Sequence, residues 1–104
     1  MDPSNFTYQR LDNRNINLVD IEYNPKKAFD KISKNSNLFI ENSFNVAFDI
    51  MKKNNFYKFI NGPISKKYFL NKKFLGVTEY LSNKFSMKKT GMLIYNKNLS
   101  VCPV

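Results

Sequence analysis

The chain of 104 residues has no histidine, no tryptophan, one cysteine and three glycines, and its only arginines are Arg10 and Arg14. Without histidine, the usual zinc ligand sets and histidine-based acid–base chemistry are excluded. The lone thiol, Cys102, has no disulfide partner within the chain, which fits a reducing compartment. It also has no histidine to activate it as a nucleophile. Gly62, Gly76 and Gly91 stand too far apart to build a glycine-rich phosphate loop. Scarce arginine counts against bidentate readout of bases or phosphates. No apolar run approaches the length of a membrane span. The N-terminal stretch is polar and contains Asp2, unlike a secretory leader. These absences lead to the expectation of a non-enzymatic protein with no catalytic residue, cofactor or metal. The expected location is cytoplasmic, with cytoskeletal, ciliary and nuclear settings included.

What is present is aromatic and basic. Hydrophobic residues make up 42% and aromatics 15%, enough for a modest packed core and against wholesale disorder. The formal net charge is +9, and from Asn55 to Val104 the only acidic residue is Glu79. A basic half of this kind attracts an acidic partner or surface, and Lys66, Lys67, Lys72, Lys73, Lys88 and Lys89 form the candidate patch. The plain alternative is a solvated lysine face.

Read in order, residues 1–17 form an extended N-terminal arm anchored by Phe6, Tyr8 and Leu11. Residues 18–86 form a helical domain, and 87–104 an extended tail. Asn17 to Tyr23 alternates apolar and acidic residues, which predicts a short strand. Asn24-Pro25 reads as a helix start, with Ala28, Phe29 and Ile32 as the buried face. The organising stretch runs from Phe39 to Leu70. In it Ile40, Phe44, Ala47, Phe48 and Met51 recur at spacings of three and four, and Lys52 and Lys53 suit a helix C-terminus. Helices are expected near 38–53, 55–60 and 63–70, with Asn54 or Asn55 capping the second, which carries Phe56, Tyr57, Phe59 and Ile60. Another is expected over Phe74–Phe85, with Leu75, Tyr80, Leu81 and Phe85 on its apolar side and Thr78 as a candidate cap. The tail MLIYNKNLSVCPV has β-forming residues but no evident strand partner within the chain.

Chemical constellations are sparse. Asp20 and Glu22 share one face of the predicted strand, but two surface carboxylates are ordinarily solvated. Lys66, Lys67, Lys72 and Lys73 interleave with Tyr68, Phe69 and Phe74, a pattern that suits phosphate neutralisation and base stacking. The same aromatics recur at helical spacing, which is the signature of a core.

Val19 to Leu70 resembles the C-terminal half of a regulator of G-protein signalling (RGS) domain. Val19-Asp20-Ile21-Glu22 with Pro25-Lys26-Lys27 is similar to the family's V-N-I-D-x-x-T-R-E stretch. Ile40-Glu41 and Ser43 lie where the family has F-D-x-A. Ile50 to Ile60 tracks its L-M-E-K-D-S-Y-x-R-F-L. The resemblance implies a helical bundle, and it implies that Asn54, Asn55 and Lys58 stand for the Asp, Ser and Arg that touch a G-protein α subunit. Asn54 loses the charge and Lys58 loses the planar fork. The chain has room for only part of that fold, so either Phe74–Val104 replaces the missing helices or another protein covers the exposed face.

The resulting expectation is a mostly α protein: a small RGS-like helical half-bundle with an extended arm and tail. It would serve as a non-enzymatic structural or adaptor subunit, docking on protein partners in a larger assembly. Its basic half would lie on an acidic surface such as tubulin in the microtubule lattice, nucleic acid or an anionic membrane. Two alternatives stand beside it, a regulator binding a G-protein α subunit and a nucleic-acid-binding protein.

Overall fold

The computed structural model describes residues 2, 6–7, 11–70 and 73–103. Among these, three helices and two short strands follow one another: α1 (Lys34–Asn54), α2 (Lys66–Phe69), α3 (Val77–Lys84), β1 (Ile94–Asn96) and β2 (Leu99–Val101). The chain divides into two compact units, Met1–Gly62 and Pro63–Val104. Helix is the main regular structure, as expected. Of the helices, α1 belongs to one unit and α2 and α3 to the other.

In the first unit, α1 begins earlier than its apolar pattern suggests because Ser33 and Ser36 cap it reciprocally. The Ser33 hydroxyl accepts the Ser36 backbone N–H at 3.2 Å, and the Ser36 hydroxyl accepts the Ser33 N–H at 2.8 Å. This capping box satisfies two donors that the first turn would otherwise leave orphaned. Phe44 and Phe48, one turn apart on the predicted face, are buried. Their rings lie 5.5 Å apart, and Phe59 closes the triangle at 5.8 Å from Phe44 and 5.6 Å from Phe48. Each tilted or edge-on pair contributes about 0.5–1.5 kcal/mol beyond its area burial.

Three expected elements in this unit are replaced. The helix after Asn24-Pro25 does not form: Phe29 sits at φ 56°, a left-handed conformation that a helix cannot run through, and its side chain is fully exposed. The strand expected over Asn17–Tyr23 does not form among the described residues. Its alternation nevertheless survives in burial, with Val19, Ile21 and Tyr23 partly covered and Leu18, Asp20 and Glu22 exposed. Tyr23 stacks on Phe39 of α1 at 4.7 Å. The helix expected over 55–60 is also absent. Asn55 takes φ 55°, ψ 40°, and the Phe56 N–H bonds back to the Met51 carbonyl at 2.9 Å, which ends α1. The chain then continues without regular structure, and Phe59 reaches the α1 rings while Tyr57 and Ile60 face solvent.

In the second unit, Tyr80 on α3 is the centre. Its ring meets Phe69 at 5.3 Å and Phe74 at 5.5 Å, both edge-on, and Leu70 is only 2% exposed. Gly76 rather than Thr78 caps α3. A Cβ at residue 76 would lie 3.0 Å from Glu79 Oε2, so glycine gives that carboxylate room to fold back at the helix N-terminus. The helix ends as α1 does, with Ser86 at φ 53° and the Met87 N–H returning to the Ser82 carbonyl at 2.9 Å. Leu75, expected on the apolar side, is exposed.

The tail finds its strand partner within itself. β1 and β2 pair antiparallel with Ile94 opposite Val101, Tyr95 opposite Ser100 and Asn96 opposite Leu99. Lys97-Asn98 makes the connection, and the Asn98 N–H donates to Asn96 Oδ1 at 3.0 Å, a side-chain-closed turn. Every described residue from Ser86 to the tail end is exposed.

Of the N-terminal arm, Tyr8 lies outside the described residues and Phe6 is partly covered. Asp12 to Asn17 forms a polar turn. The Asp12 carboxylate accepts the Arg14 N–H at 2.9 Å and the Asn15 side-chain amide at 2.6 Å, and Asn17 Oδ1 accepts the Asp12 N–H at 3.1 Å. The Arg14 N–H first, and Asn15 next, hold the Asp12 carboxyl below its ordinary value.

Candidate functional site

Charge singles out the second unit. Its eight lysines face one carboxylate, Glu79, which leaves it at +7, whereas the first unit balances nine basic residues against seven acidic ones for +2. Lys66 and Lys67 are adjacent on α2, Lys73 lies in the link between α2 and α3, and all three are exposed. Lys72 lies outside the described residues. Lys88 and Lys89 are exposed between α3 and the hairpin, and Lys97 is exposed at the hairpin tip.

The aromatics interleaved with these lysines divide between two roles. Phe69 and Phe74 pack on Tyr80 and belong to the core, in line with their helical spacing. Tyr68 is about half exposed, and Lys67 Nζ sits 5.4 Å from its ring centroid. Lys84, absent from the predicted patch, holds its Nζ 5.7 Å from the Tyr80 ring. The signal that would have found it is its position one turn after Tyr80, since residues four apart meet on a helix face. The arrangement presents ammonium groups to solvent beside aromatic faces, which suits a phosphate or carboxylate ligand.

Asn54, Asn55 and Lys58 belong to the first unit. The Asn54 amide donates to the Ile50 carbonyl at 2.8 Å, within its own helix. Asn55 terminates α1 through its backbone, and Lys58 is exposed on the segment that follows. The RGS motif needs a new helix to start at this point, and the chain instead stops one. Asp20 and Glu22 are both exposed. Among the described residues no group of three His, Cys, Asp or Glu is placed to hold a metal ion, and no helix is long and apolar enough to cross a membrane.

Comparison with known proteins gives a different answer from the local motifs. Residues 2–104 match the family model described as pyridoxal phosphate biosynthetic protein PdxA. No curated protein and no solved structure matches the chain significantly. The PdxA family is one of enzymes, 4-hydroxythreonine-4-phosphate dehydrogenases. This match overturns the RGS resemblance, on which the G-protein contact carried over to Asn54, Asn55 and Lys58 rested. It equally overturns the expectations of a non-enzyme and of a structural or cytoskeletal adaptor, and it lends no support to the G-protein and nucleic-acid alternatives. The RGS-like run misled because an apolar helix face followed by an asparagine stop and a trailing phenylalanine is a general way to end and cover a helix. Matched over nearly its whole length, the chain belongs to the pyridoxal phosphate biosynthetic protein PdxA family.

Proposed function

We propose that the chain works in pyridoxal phosphate biosynthesis, as part of an enzyme that oxidises 4-hydroxythreonine 4-phosphate, and that its lysine-rich unit binds the substrate's phosphate. The family match over residues 2–104 carries the reading. The lysine surface supports the phosphate role. A phosphate ester brings close to two negative charges at neutral pH, and Lys66, Lys67 and Lys73 offer compact, mobile donors with one carboxylate in the whole unit to oppose them.

Dehydrogenation requires a hydride acceptor, and the residues present do not fit a nicotinamide dinucleotide. Such a cofactor is held by a glycine-rich turn between a parallel strand and a helix, with the pyrophosphate on the helix N-terminus. Here the glycines are isolated, and the sheet among the described residues is an exposed antiparallel hairpin. The chain also lacks a histidine to move a proton. In this reading the hydride acceptor and the proton-transferring groups are held by partner polypeptide. The chain contributes substrate binding in a cytoplasmic enzyme assembly.

Two measurements test the two parts. Removing the chain from its source organism should create a requirement for pyridoxine, and unchanged growth without pyridoxine would sink the pathway assignment. Titration calorimetry at low salt should show 4-hydroxythreonine 4-phosphate binding at least about tenfold tighter than the unphosphorylated amino acid, with the preference lost in a Lys66→Glu, Lys67→Glu, Lys73→Glu variant. Equal binding of the two ligands would remove the phosphate role and leave the pathway assignment standing.

A further inference from the structure

The C-terminal hairpin has a surface that the substrate reading does not use. Among the described residues, β1 and β2 form a two-stranded sheet, so each has an outer edge of backbone N–H and C=O groups with no strand beside it. A lone hairpin of this size is marginal in water, and natural edges are usually blunted by proline, charge or a covering element. β2 runs into Pro103 two residues after its end, which blunts its edge. β1 has no such guard: the run from Gly91 to Asn96 contains neither proline nor charge. Leu93, Ile94 and Tyr95 are 65%, 58% and 75% exposed along it.

We infer that the outer edge of β1 adds to the edge strand of a sheet in a partner protein that carries aspartate or glutamate beside that strand. Backbone hydrogen bonds would supply the pairing and the exposed apolar side chains the packing. Charge identifies the occupant. Lys88 and Lys89 precede the hairpin and Lys97 sits at its tip, all exposed, and the unit as a whole is +7. A second copy would bring +7 to +7, a like-charge approach that opposes association, whereas an acidic edge lowers the same field. The inference concerns a different place from the substrate reading, because it sets the contact at β1 beside Lys88, Lys89 and Lys97 rather than at the lysines of α2.

The test is amide hydrogen exchange on the full chain, with a short peptide of alternating valine and glutamate as probe and its valine–lysine counterpart as control. The acidic peptide should slow exchange across Leu93–Val101 by about tenfold, and the lysine peptide should leave it unchanged. A proline in β1 would destroy the hairpin itself, so the variant is Lys88→Glu, Lys89→Glu, Lys97→Glu, which keeps the ladder and should reverse the peptide preference. Protection by neither peptide, or equally by both, would overturn the inference. So would protection that rises with protein concentration in the absence of peptide together with a dimer in sedimentation, because the occupant would then be a second copy.

Discussion

The first unit builds its core on one long helix, whereas the second gathers its core around Tyr80 from two short helices and the link between them. α1 has 21 residues, a reciprocal serine cap and two basic residues in its last turn, so part of its stability is local. α2 has four residues and α3 has eight, and neither has a side-chain hydrogen bond at its N-cap, so both depend on tertiary contact. The charge is divided the opposite way, nearly balanced in the first unit and strongly positive in the second. One half of the chain is organised for local self-support. The other carries the charge and the open strand edge, and its short elements leave those groups accessible.

The comparison can be broken most forcefully at its two cores. Phe48→Ala should cost about 3 kcal/mol, since it removes a buried ring that touches two others, and the loss should appear as faster exchange of α1 amides. Tyr80→Ala should cost a similar amount but be read in α3. A loss below about 1 kcal/mol at either site would mean that the ring is not the anchor of its unit.

The local share of α1 stability is tested at its start. Ser33→Ala should lower stability by about 1 kcal/mol, measured by denaturant unfolding, with the matching change at the α3 cap, Gly76→Ala, reporting instead on the room available to Glu79. An Ser33→Ala variant as stable as the parent would show that the capping box adds nothing.

A non-glycine residue in the left-handed region follows α1 in the first unit and α3 in the second, Asn55 in one and Ser86 in the other. Replacing each with glycine should stabilise by a few tenths of a kcal/mol up to about 1 kcal/mol, and more at Ser86, because asparagine tolerates that conformation better than serine. A larger gain at Asn55 would reverse that ranking.

The smallest effect concerns the Asp12 turn. The carboxyl is lowered in the folded state from its ordinary 3.8, mainly by the Arg14 N–H and then by Asn15. A lowered folded value means that the contribution is present above the unfolded value and fades as pH falls through the folded one. Carbon-detected titration of Asp12 should therefore give a midpoint below 3.8, and Asp12→Asn should remove the acid-range change in the Arg14 and Asn15 amide signals. A midpoint at or above the ordinary value would mean that the turn does not hold in solution.

The apolar face of α1 was legible in the sequence because a 3.6-residue period needs no partner to be seen, and Phe44 and Phe48 are buried where it placed them. The asymmetry of charge was equally legible, since it is a property of composition. The helix expected at 55–60 failed because asparagine serves both to start a helix and to stop one, and the choice was made by Phe59 reaching back to two rings of α1. The hairpin was missed because its strands are three residues each, too short for their alternation to stand out. Family membership was hidden for a related reason: no short motif carries it, and it emerges only from the pattern of the whole chain.

Sequence alone therefore determined the quantities that are local or additive: the amphipathic stripe of α1, the basic half, and the lack of histidine and glycine-rich chemistry. Tertiary structure decided which conformation the short segments take. Phe29 leaves the helical region, Asn55 stops a helix rather than starting one, and the last residues pair with one another. The physical reason is that isolated short elements are marginal in water, so a short segment's local pattern does not by itself fix its conformation.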